Sequence, residues 1–317
     1  MFLSNRRRLQ ILHFIRPYLR NPYVDRGKWF LLEKLNPKPG EDLDCIRLGV
    51  RATKVESGAH ILCDFRHAAD RFTYFTGEYE LGASRLMRSV LSDRWTFIDV
   101  GANVGKYMVM AAPLAGEVIC VEPNPVSRWF LSSNVAINGF RNVKIHPFAL
   151  GEQDGDVLLS QMGDDIGGAS IVTNREQGFK VPVPVRRGDS VLQGEGPVYL
   201  KIDVEGYEEQ VLRGFTRLLA GRQCIVQVEI TDKWLQQAGG SADRLFSLMS
   251  DHGFTPFLIG TKSTLRTTFL LTGLNRPLNQ FQYDVIFLPK PSLQEFLASL
   301  EPPFPGERPG RKGPNCD

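Results

Sequence analysis

Short apolar runs alternate along the middle of the chain with segments that have helical spacing, and this alternation constrains the fold more than any other feature. The runs are WTFIDV, EVICVE, VKIHPFAL, VYLKID and CIVQVEI. Continuous apolar strands that alternate with helices are typical of a parallel sheet with helices on both faces. FQYDVIFLP predicts a last strand, which TPFLIG would connect in an antiparallel finish. The sequence therefore predicts an α/β protein with a doubly wound, mostly parallel sheet.

Two helices of this pattern have clear ends. The segment NPVSRWFLSSNVAINGF predicts a helix that has Asn124 as its N-cap, Pro125 in its first turn and Gly139 after its last turn. The segment EGYEEQVLRGFTRLLAG predicts a second helix that ends at Gly221. Its apolar stripe consists of Val211, Leu212, Phe215, Leu218 and Leu219. Between residues 151 and 195, β-like pieces broken by glycines predict an insertion or meander.

The residues that end each apolar run are the candidate site residues, because ligands bind outside the carboxyl ends of the strands in such a sheet. They are Asp99, Glu122 with Pro123, Ala149 with Leu150, Asp203 with Glu205, and Glu229. Four of the five runs thus end in a carboxylate. This pattern favours a ligand that carries hydroxyl groups or positive charge.

The loop DVGANVG follows the first of these strands and lacks the G-x-G-x-x-G spacing of a dinucleotide site. An acid directly before the glycines would repel a phosphate, whereas Asp99 suits a cationic or hydroxyl-bearing group. Glu122 follows some 20 residues later, where an acid typically accepts hydrogen bonds from ribose hydroxyls. A ribose and a cation without a phosphate predict S-adenosylmethionine as the cofactor.

Seven stretches of the chain resemble the FkbM family of S-adenosylmethionine-dependent methyltransferases. They are YFTGEYE, FIDVGANVGKY, VICVEPNP, LSSNVAINGF, FALGEQDG, LKIDVEGYEEQVLRG and VQVEI, in the family's order between residues 58 and 232. DVGANVG, VEPNP and KIDVEG are specific in combination. The resemblance implies the class I methyltransferase fold, a Rossmann-like sheet with an antiparallel last strand, here with an N-terminal α/β extension.

The resemblance also implies roles for individual residues. The loop residues Gly101, Asn103 and Gly105 would surround the methionine part of the cofactor, and Asp99 would bind its polar end. Glu122, followed by Pro123, would accept the ribose hydroxyls. Ala149 and Leu150 would border the adenine, and Glu80 would close the site from the N-terminal side. The catalytic candidates Asp203 and Glu205 would lie nearest the transferred methyl group and the acceptor; no metal is implied.

Two stretches depart from the family pattern. Tyr107-Met108 stands where a hydroxyl residue often follows the glycine loop, so one cofactor contact is in doubt. Arg186-Arg187-Gly188 precedes Asp189, where the family more often has Thr-Leu-Asp, which suggests an adapted acceptor side. Neither departure involves the main cofactor acids.

Several residues have a structural alternative. Asp99 could orient the glycine loop through backbone N–H groups. Asn134 and Asn138 are interpreted as helix-end and packing residues, and His146 as a hydrogen-bonded core residue. Glu229 could be a structural partner of a basic residue as well as a site residue. The acids Asp203, Glu205 and Glu229 could hold a divalent metal, although such oxygen sites usually need more ligands.

The charge of the chain is uneven. Residues 1–38 contain nine Lys or Arg against Asp25 and Glu33, a net charge of +7, within a total of +3. This distribution indicates a basic N-terminal arm on a mildly acidic body, so no nucleic-acid partner is expected. SNRRRLQILHFIRPYLR could be a basic amphipathic segment on anionic lipid, or a helix packed on its own domain.

Cysteine usage and hydropathy give expectations about the compartment. Five scattered cysteines without a CxxC pair argue against a disulfide framework and a structural zinc site, and Cys120 and Cys224 lie in apolar runs that predict core positions. Since no apolar run has membrane-spanning length and no secretion signal is evident, we expect a cytoplasmic protein, with peripheral membrane contact as an option.

The expected domain organisation is a basic N-terminal extension (1–57), a methyltransferase domain (58–290) and a disordered Pro/Gly-rich tail (291–317). The expected activity is O-methylation of a hydroxyl on a sugar, glycolipid or secondary metabolite, so the partner would be a small-molecule or glycan acceptor. The alternatives are N-methylation of a protein or small amine, and an inactive cofactor-binding partner protein. An oxidoreductase is disfavoured by the missing fingerprint glycine. Oligomeric state is not predicted.

Overall fold

The computed structural model describes residues 4–21, 27–37, 47–161, 179–192, 194–221, 223–262 and 268–290. The predicted disordered tail (291–317) and part of the predicted insertion (162–178) lie outside the described residues. Cys63, Cys120 and Cys224 are buried, which confirms the core positions predicted for the last two.

The first part of the described chain consists of helices and a two-stranded hairpin. Its elements are α1 (Asn5–Phe14), α2 (Arg16–Leu19), α3 (Lys28–Leu35), β1 (Val50–Lys54), β2 (His60–Asp64), α4 (Ala68–Thr76) and α5 (Leu81–Val90). β1 and β2 pair antiparallel. This part of the chain therefore contains both helices and strands. The predicted boundary after residue 57 lies in the turn of this hairpin, and that division stays a prediction.

Helix α1 packs on its own domain, the second of the two alternatives for this segment. Leu9 and Leu12 are buried together with Leu32, Phe65 and Phe75 in one hydrophobic cluster. The side of α1 that contains Leu9 and Leu12 is therefore covered by the protein itself. In the described residues, no helix is both long enough and apolar enough to span a membrane.

The remaining elements alternate in the predicted way. They are β3 (Thr96–Val100), α6 (Lys106–Ala111), β4 (Glu117–Val121), α7 (Pro125–Asn138), β5 (Val143–His146), β6 (Ala149–Gly151), β7 (Gly155–Gln161), β8 (Phe179–Arg187), β9 (Val198–Ile202), α8 (Glu208–Gly214), α9 (Thr216–Gly221), β10 (Cys224–Ile230), α10 (Asp232–Gln237), α11 (Ala242–Asp251), β11 (Phe254–Lys262), β12 (Thr268–Gly273) and β13 (Tyr283–Pro289). A short 3₁₀ helix, Gly188–Val191, follows β8.

Eight of the described strands form one sheet in the order β5-β4-β3-β9-β10-β13-β11-β12. β5, β4, β3, β9 and β10 are parallel, and β13 is antiparallel to both β10 and β11. The doubly wound sheet and its antiparallel last strand are as predicted. Strand β12, which pairs with β11 at the edge, was not predicted from the sequence.

The predicted helix over residues 205–221 is wrong in one respect, because the chain forms two helices, α8 and α9, that meet at Phe215. Asp189 accepts hydrogen bonds from the Arg217 and Leu218 backbone N–H groups at 3.0 and 3.4 Å and from the Thr216 hydroxyl at 3.0 Å. This carboxylate caps a new helix start. Gly214, the last residue of α8, allows the backbone of β6 to approach closely, because a Cβ there would lie 2.1 Å from the Gly151 carbonyl oxygen.

The strands of a second, smaller sheet come between β5 and β9 of the main sheet in chain order. Within the described residues it contains β6, β8 and β7 in that order, with β7 and β8 antiparallel and β6 and β8 parallel. It occupies part of the region in which the sequence predicts an insertion or meander.

The two faces of the main sheet bury different hydrophobic clusters. Ile98 and Leu200 face the helical stripe that contains Phe215, while Phe97 and Tyr199 face the opposite way. On this second face, Asp99, Lys201 and Gln227 stand in register two positions further along their strands. The side chains of this face thus change from apolar to polar towards the carboxyl ends, which places the site there.

We predict that Phe215→Ala lowers the free energy of unfolding by about 3 to 5 kcal/mol, because Phe215 is fully buried and its removal leaves a cavity. Phe30→Ala, at an exposed phenylalanine, should change it by less than about 0.5 kcal/mol. Urea unfolding of both variants measures the difference. Equal losses in the two variants would contradict the described core.

Candidate active site

The loop after β3 makes a close turn that depends on two glycines. Gly101 has φ +82°, and a Cβ there would lie 1.8 Å from the Asp203 carbonyl oxygen. Gly105 has φ +89°, and a Cβ there would lie 2.6 Å from Leu131 Cδ1. The loop between them can therefore pass close to β9 and to helix α7, where side chains at these positions would clash.

Glu122 holds this loop in place. Its Oε2 accepts a hydrogen bond from the Asn103 backbone N–H and its Oε1 accepts one from the Asn124 N–H, both at 2.8 Å. Burial raises the pKa of Glu122 to about 7, although these N–H groups and Arg128 lower it. Arg128 also donates to the carbonyl oxygens of Glu122 and Pro123. The ends of β3 and β4 are thus tied together by one carboxylate.

Asp99 is the least satisfied acid of the site. It is 1% exposed, and neither carboxylate oxygen has a hydrogen-bond partner within the described residues. The nearest cation is Lys201, whose Nζ lies 3.9 Å from Oδ1. Burial raises the pKa of Asp99 to about 6, Asp203 and Glu80 add to this increase, and Lys201 opposes it. The loop-orienting role considered for Asp99 is not seen; Glu122 performs it.

Lys201 joins the acids that end β3 and β9. Its Nζ donates to Asp203 Oδ2 at 3.1 Å and lies 4.6 Å from the centre of the Tyr107 ring. Burial alone would lower the pKa of Lys201, but the surrounding carboxylates outweigh burial and raise it. Sequence reasoning missed this residue. Its signal was its position on the strand face shared with Asp99 and Asp203.

Glu80 is tied to the sheet through Tyr107. The Tyr107 hydroxyl donates to Glu80 Oε2 at 2.6 Å and accepts from Gln227 Nε2 at 3.2 Å. Tyr199 donates in turn to Gln227 Oε1 at 2.8 Å, which fixes the orientation of the amide. The hydroxyl residue of the Tyr107-Met108 stretch is thus Tyr107, one position before Met108. Met108 itself is fully buried in the core, which accounts for an apolar residue there.

The loop after β9 carries both catalytic candidates. Asp203 follows the strand directly, and its side chain is 23% exposed. Glu205 has φ +58°. Glu208, a buried residue that sequence reasoning missed, accepts hydrogen bonds from the Val204 and Gly206 backbone N–H groups. Burial raises the pKa of Glu208 to about 7, while backbone N–H groups lower it.

Glu229 and Asp284 stand directly opposite each other on β10 and β13. Burial raises the pKa of both carboxyls, and neighbouring acids, including Asp203 and Glu80, raise it further. Like charges directly opposite each other destabilise a sheet. Glu229 therefore joins the acidic edge of the site, and the arrangement favours a cation among these carboxylates.

Three residues of the candidate site have positive φ angles. Of the non-glycine residues that the structure describes, three have a positive φ: Glu80, Asn103 and Glu205. All three were predicted from the sequence as site residues. Such conformations are costly and persist mainly where function requires them.

Ala149 and Leu150 lie in β6 and are buried in two different hydrophobic clusters. Their contact with an adenine stays a prediction. Asn134 binds the Leu62 N–H and the Val104 carbonyl, and Asn138 binds both backbone groups of His60, so both asparagines have packing roles.

His146 is described in β5, where burial and then Lys144 lower its pKa. Its Nε2 has no hydrogen-bond partner in the described part of the chain. The interpretation of His146 as a hydrogen-bonded core residue is therefore not supported at this nitrogen. Among the described residues, no group of three or more His, Cys, Asp or Glu side chains could hold a metal ion.

Comparison with protein-family models gives one match: residues 99–256 match the methyltransferase FkbM domain. The chain belongs to the FkbM methyltransferase family. The matched segment starts at Asp99 and includes Glu122, Asp203 and Glu205. The fold is that of class I methyltransferases and the enzyme is an S-adenosylmethionine-dependent methyltransferase, as predicted. A search of curated proteins found no match.

Solved structures of methyltransferases also align with the chain. An FkbM methyltransferase from Methylobacillus flagellatus is 14% identical, with coverage of 89% of this chain and 59% of that chain and a TM-score of 0.39. Precorrin-6y C5,15-methyltransferase from Geobacter metallireducens is 14% identical, with coverage of 67% and 89% and a TM-score of 0.37. A putative methyltransferase from Streptococcus mutans, in complex with SAH, is 10% identical, with coverage of 65% and 94% and a TM-score of 0.37.

We predict that Asp99→Asn stabilises the protein at neutral pH. The pKa of Asp99 is raised from 3.8 to about 6 on folding, so the wild-type protein loses stability as pH rises from about 4 to about 6 and keeps that penalty above pH 6. The penalty is on the order of 1 to 3 kcal/mol.

Thermal and urea unfolding at pH 5 and pH 8 test this. The gain in Asp99→Asn should be larger at pH 8 than at pH 5. A variant that is less stable than wild type at pH 8 would show that Asp99 has a stabilising partner.

Proposed function

We propose that this FkbM methyltransferase transfers a methyl group to a hydroxyl of a sugar, glycolipid or secondary metabolite. The observation that carries this proposal is the pair of acids on the loop after β9, Asp203 and Glu205, next to the buried carboxylate of Asp99, which has no hydrogen-bond partner in the described residues. An acid at this position can take the proton that a hydroxyl loses on methylation.

The residues of the glycine loop fit S-adenosylmethionine. Asp99 is buried and lacks a hydrogen-bond donor within the described residues, so a positively charged group would satisfy it. We propose that Asp99, Gly101, Asn103 and Gly105 hold the methionine part. Glu122 with Pro123 would hold the ribose, Ala149 and Leu150 would border the adenine, and Glu80 would close the site. Bound there, the cofactor supplies a methyl group on a positively charged sulfur.

The protein's part in the reaction is to position the acceptor, exclude water and move one proton. Correct positioning can lower a barrier by about 7 to 11 kcal/mol. Lys201 orients the Asp203 carboxylate through its 3.1 Å hydrogen bond. Asp203 or Glu205, which we propose as the general base, would take the proton of the acceptor hydroxyl, while the cofactor would supply the methyl group, its carbon–sulfur bond would break, and it would leave as S-adenosylhomocysteine.

A second candidate is methylation of an amine on a protein or small molecule. The acids Glu229 and Asp284 favour it, since their paired carboxyls could bind a positively charged acceptor. Mass spectrometry of cell extracts treated with isotope-labelled S-adenosylmethionine discriminates the two. Label on oxygen supports the first proposal, and label on nitrogen supports the second.

We predict that Glu122→Ala weakens binding of S-adenosylhomocysteine at least 10-fold, because it removes a ribose acceptor and releases the Asn103 N–H. Glu117→Ala is the matched control, at the opposite end of the same strand. Isothermal titration calorimetry measures both variants. Normal affinity in Glu122→Ala would contradict the proposed cofactor site.

The variants Asp203→Asn and Glu205→Gln test the base. Loss of the general base should lower kcat by about 100-fold or more, with affinity for S-adenosylhomocysteine changed less than about threefold. One of the two variants should show this loss. If both retain wild-type kcat, neither residue is the base.

We also propose that residues 1–57 form an extension that can contact anionic membranes, ahead of a methyltransferase domain (58–290) and a tail (291–317). Arg6, Arg7 and Phe14 are exposed on α1. Since Leu9 and Leu12 of this helix are buried, contact would depend on the basic charges and on Phe14, and would weaken in high salt.

Co-sedimentation with phosphatidylserine-containing liposomes tests the membrane proposal. Wild type should sediment at low salt, and Arg6→Glu/Arg7→Glu/Phe14→Ser should not. Arg141→Glu, a change at an exposed arginine outside the extension, is the control. If wild type stays in the supernatant at low salt, the extension has another role.

A further inference from the structure

Glu208 occupies the first turn of α8, directly after the loop that carries the catalytic candidates. Its side chain is 3% exposed. Its Oε1 accepts hydrogen bonds from the Val204 N–H at 3.2 Å and the Gly206 N–H at 3.0 Å. These two amides flank Glu205. One carboxylate oxygen therefore binds the backbone on both sides of a proposed catalytic residue.

The two ends of this loop are fixed by other contacts. At the start, the Asp203 N–H donates to the Val100 carbonyl at 3.0 Å, and the Asp203 carbonyl lies against Gly101, where a Cβ would clash. At the end, Gly206 has φ +109°, and a Cβ there would lie 2.7 Å from the Trp234 carbonyl oxygen. Between these ends, Glu205 has the left-handed φ of +58°.

A left-handed glutamate needs support, because this conformation is unfavourable for residues other than glycine. The bonds to the Val204 and Gly206 amides supply that support from beneath the loop. We propose that Glu208 is a positioning residue for methyl transfer, which holds Glu205 and Asp203 in the geometry that the reaction requires. This inference rests on the proposed function, in which one of these two acids is the base.

The neighbouring residue Glu209 provides a matched control. It is as deeply buried, at 1% exposed. Its Oε1 accepts from Arg213 and Arg244, each at 2.8 Å, and the bond to Arg244 ties α8 to α11. Two adjacent buried glutamates thus bind different partners, the catalytic loop and the arginines.

The test compares Glu208→Gln, Glu208→Leu and Glu209→Leu in the full chain. The glutamine retains a carbonyl oxygen that can accept both N–H groups, whereas leucine retains none. Three measurements are made: hydrogen exchange of peptides that cover residues 203–206, affinity for S-adenosylhomocysteine, and the initial rate of label transfer from tritiated S-adenosylmethionine into cell extract as the donor concentration is varied.

We expect Glu208→Leu to increase exchange in the loop and to lower the maximal transfer rate by roughly 10- to 100-fold, because small displacements of reacting groups have effects of this size. The KM for the donor and the affinity for S-adenosylhomocysteine should change less than threefold. Glu208→Gln should stay within about threefold of wild type in all measurements. Glu209→Leu should lower the melting temperature and leave loop exchange and the maximal rate unchanged.

Wild-type exchange and rate in Glu208→Leu would overturn the proposal, as would an equal loss of rate in Glu209→Leu. A Glu208→Gln variant as slow as Glu208→Leu would also overturn it, since the hydrogen bonds would then not be what matters. Failure of the wild-type protein to bind S-adenosylhomocysteine or transfer label would instead overturn the proposed function. In either case, the hydrogen-exchange measurement shows whether Glu208 restrains the backbone of residues 203–206.

Discussion

The charge balance around one buried ammonium group organises the site. Lys201 lies between the carboxylates that end β3 and β9, at 3.9 Å from Asp99 and 3.1 Å from Asp203. Further acids, including Glu80 and Glu229, act on the same ammonium. One buried cation cannot balance this many carboxylates, and several of their pKa values are raised. The site therefore favours additional positive charge, and a sulfonium cofactor brings it.

The backbone around this charge cluster is held by carboxylates that contact loops. Glu122 binds the Asn103 N–H, and Glu208 binds the amides on both sides of Glu205. Glu80 accepts the Tyr107 hydroxyl. Each of the three non-glycine positive-φ residues in the described chain is thus itself bound, or flanked by bound groups. Some acids of the site, such as Glu122 and Glu208, bind backbone N–H groups. Others, such as Asp99, have no hydrogen-bond partner in the described residues and can bind a ligand.

The sequence allowed the residues at the strand ends to be predicted, because a parallel sheet brings the carboxyl ends of its strands together. Asp99, Glu122 and Asp203 could be selected on that basis alone. Lys201 could not, since it lies inside an apolar run and not at its end, and its position beside Asp99 depends on the register of β9 with β3. The roles of Asp99 and Glu122 were also only partly predicted: which acid binds the loop depends on the conformation of Asn103.

Other features were missed for similar reasons. The break between α8 and α9 depends on Asp189, which is more than 20 residues away in sequence and caps α9 through space. Strand β12 is added at an edge by pairing with β11, and the short run TFLLTG does not by itself specify that pairing. Tertiary contacts decided each of these, whereas the central sheet followed from the order of apolar runs.

Proton release on cofactor binding tests the central claim, which is that Asp99 binds a positively charged group of the cofactor. At pH 6 about half of Asp99 is protonated, since its pKa is about 6, and a bound cation would lower that pKa. Titration of S-adenosylmethionine, which carries the sulfonium charge, in two buffers of different ionisation enthalpy and without an acceptor measures the protons released. The account predicts that the wild-type protein releases up to roughly half a proton more than Asp99→Asn. Equal affinity and equal proton release in the two proteins would contradict it.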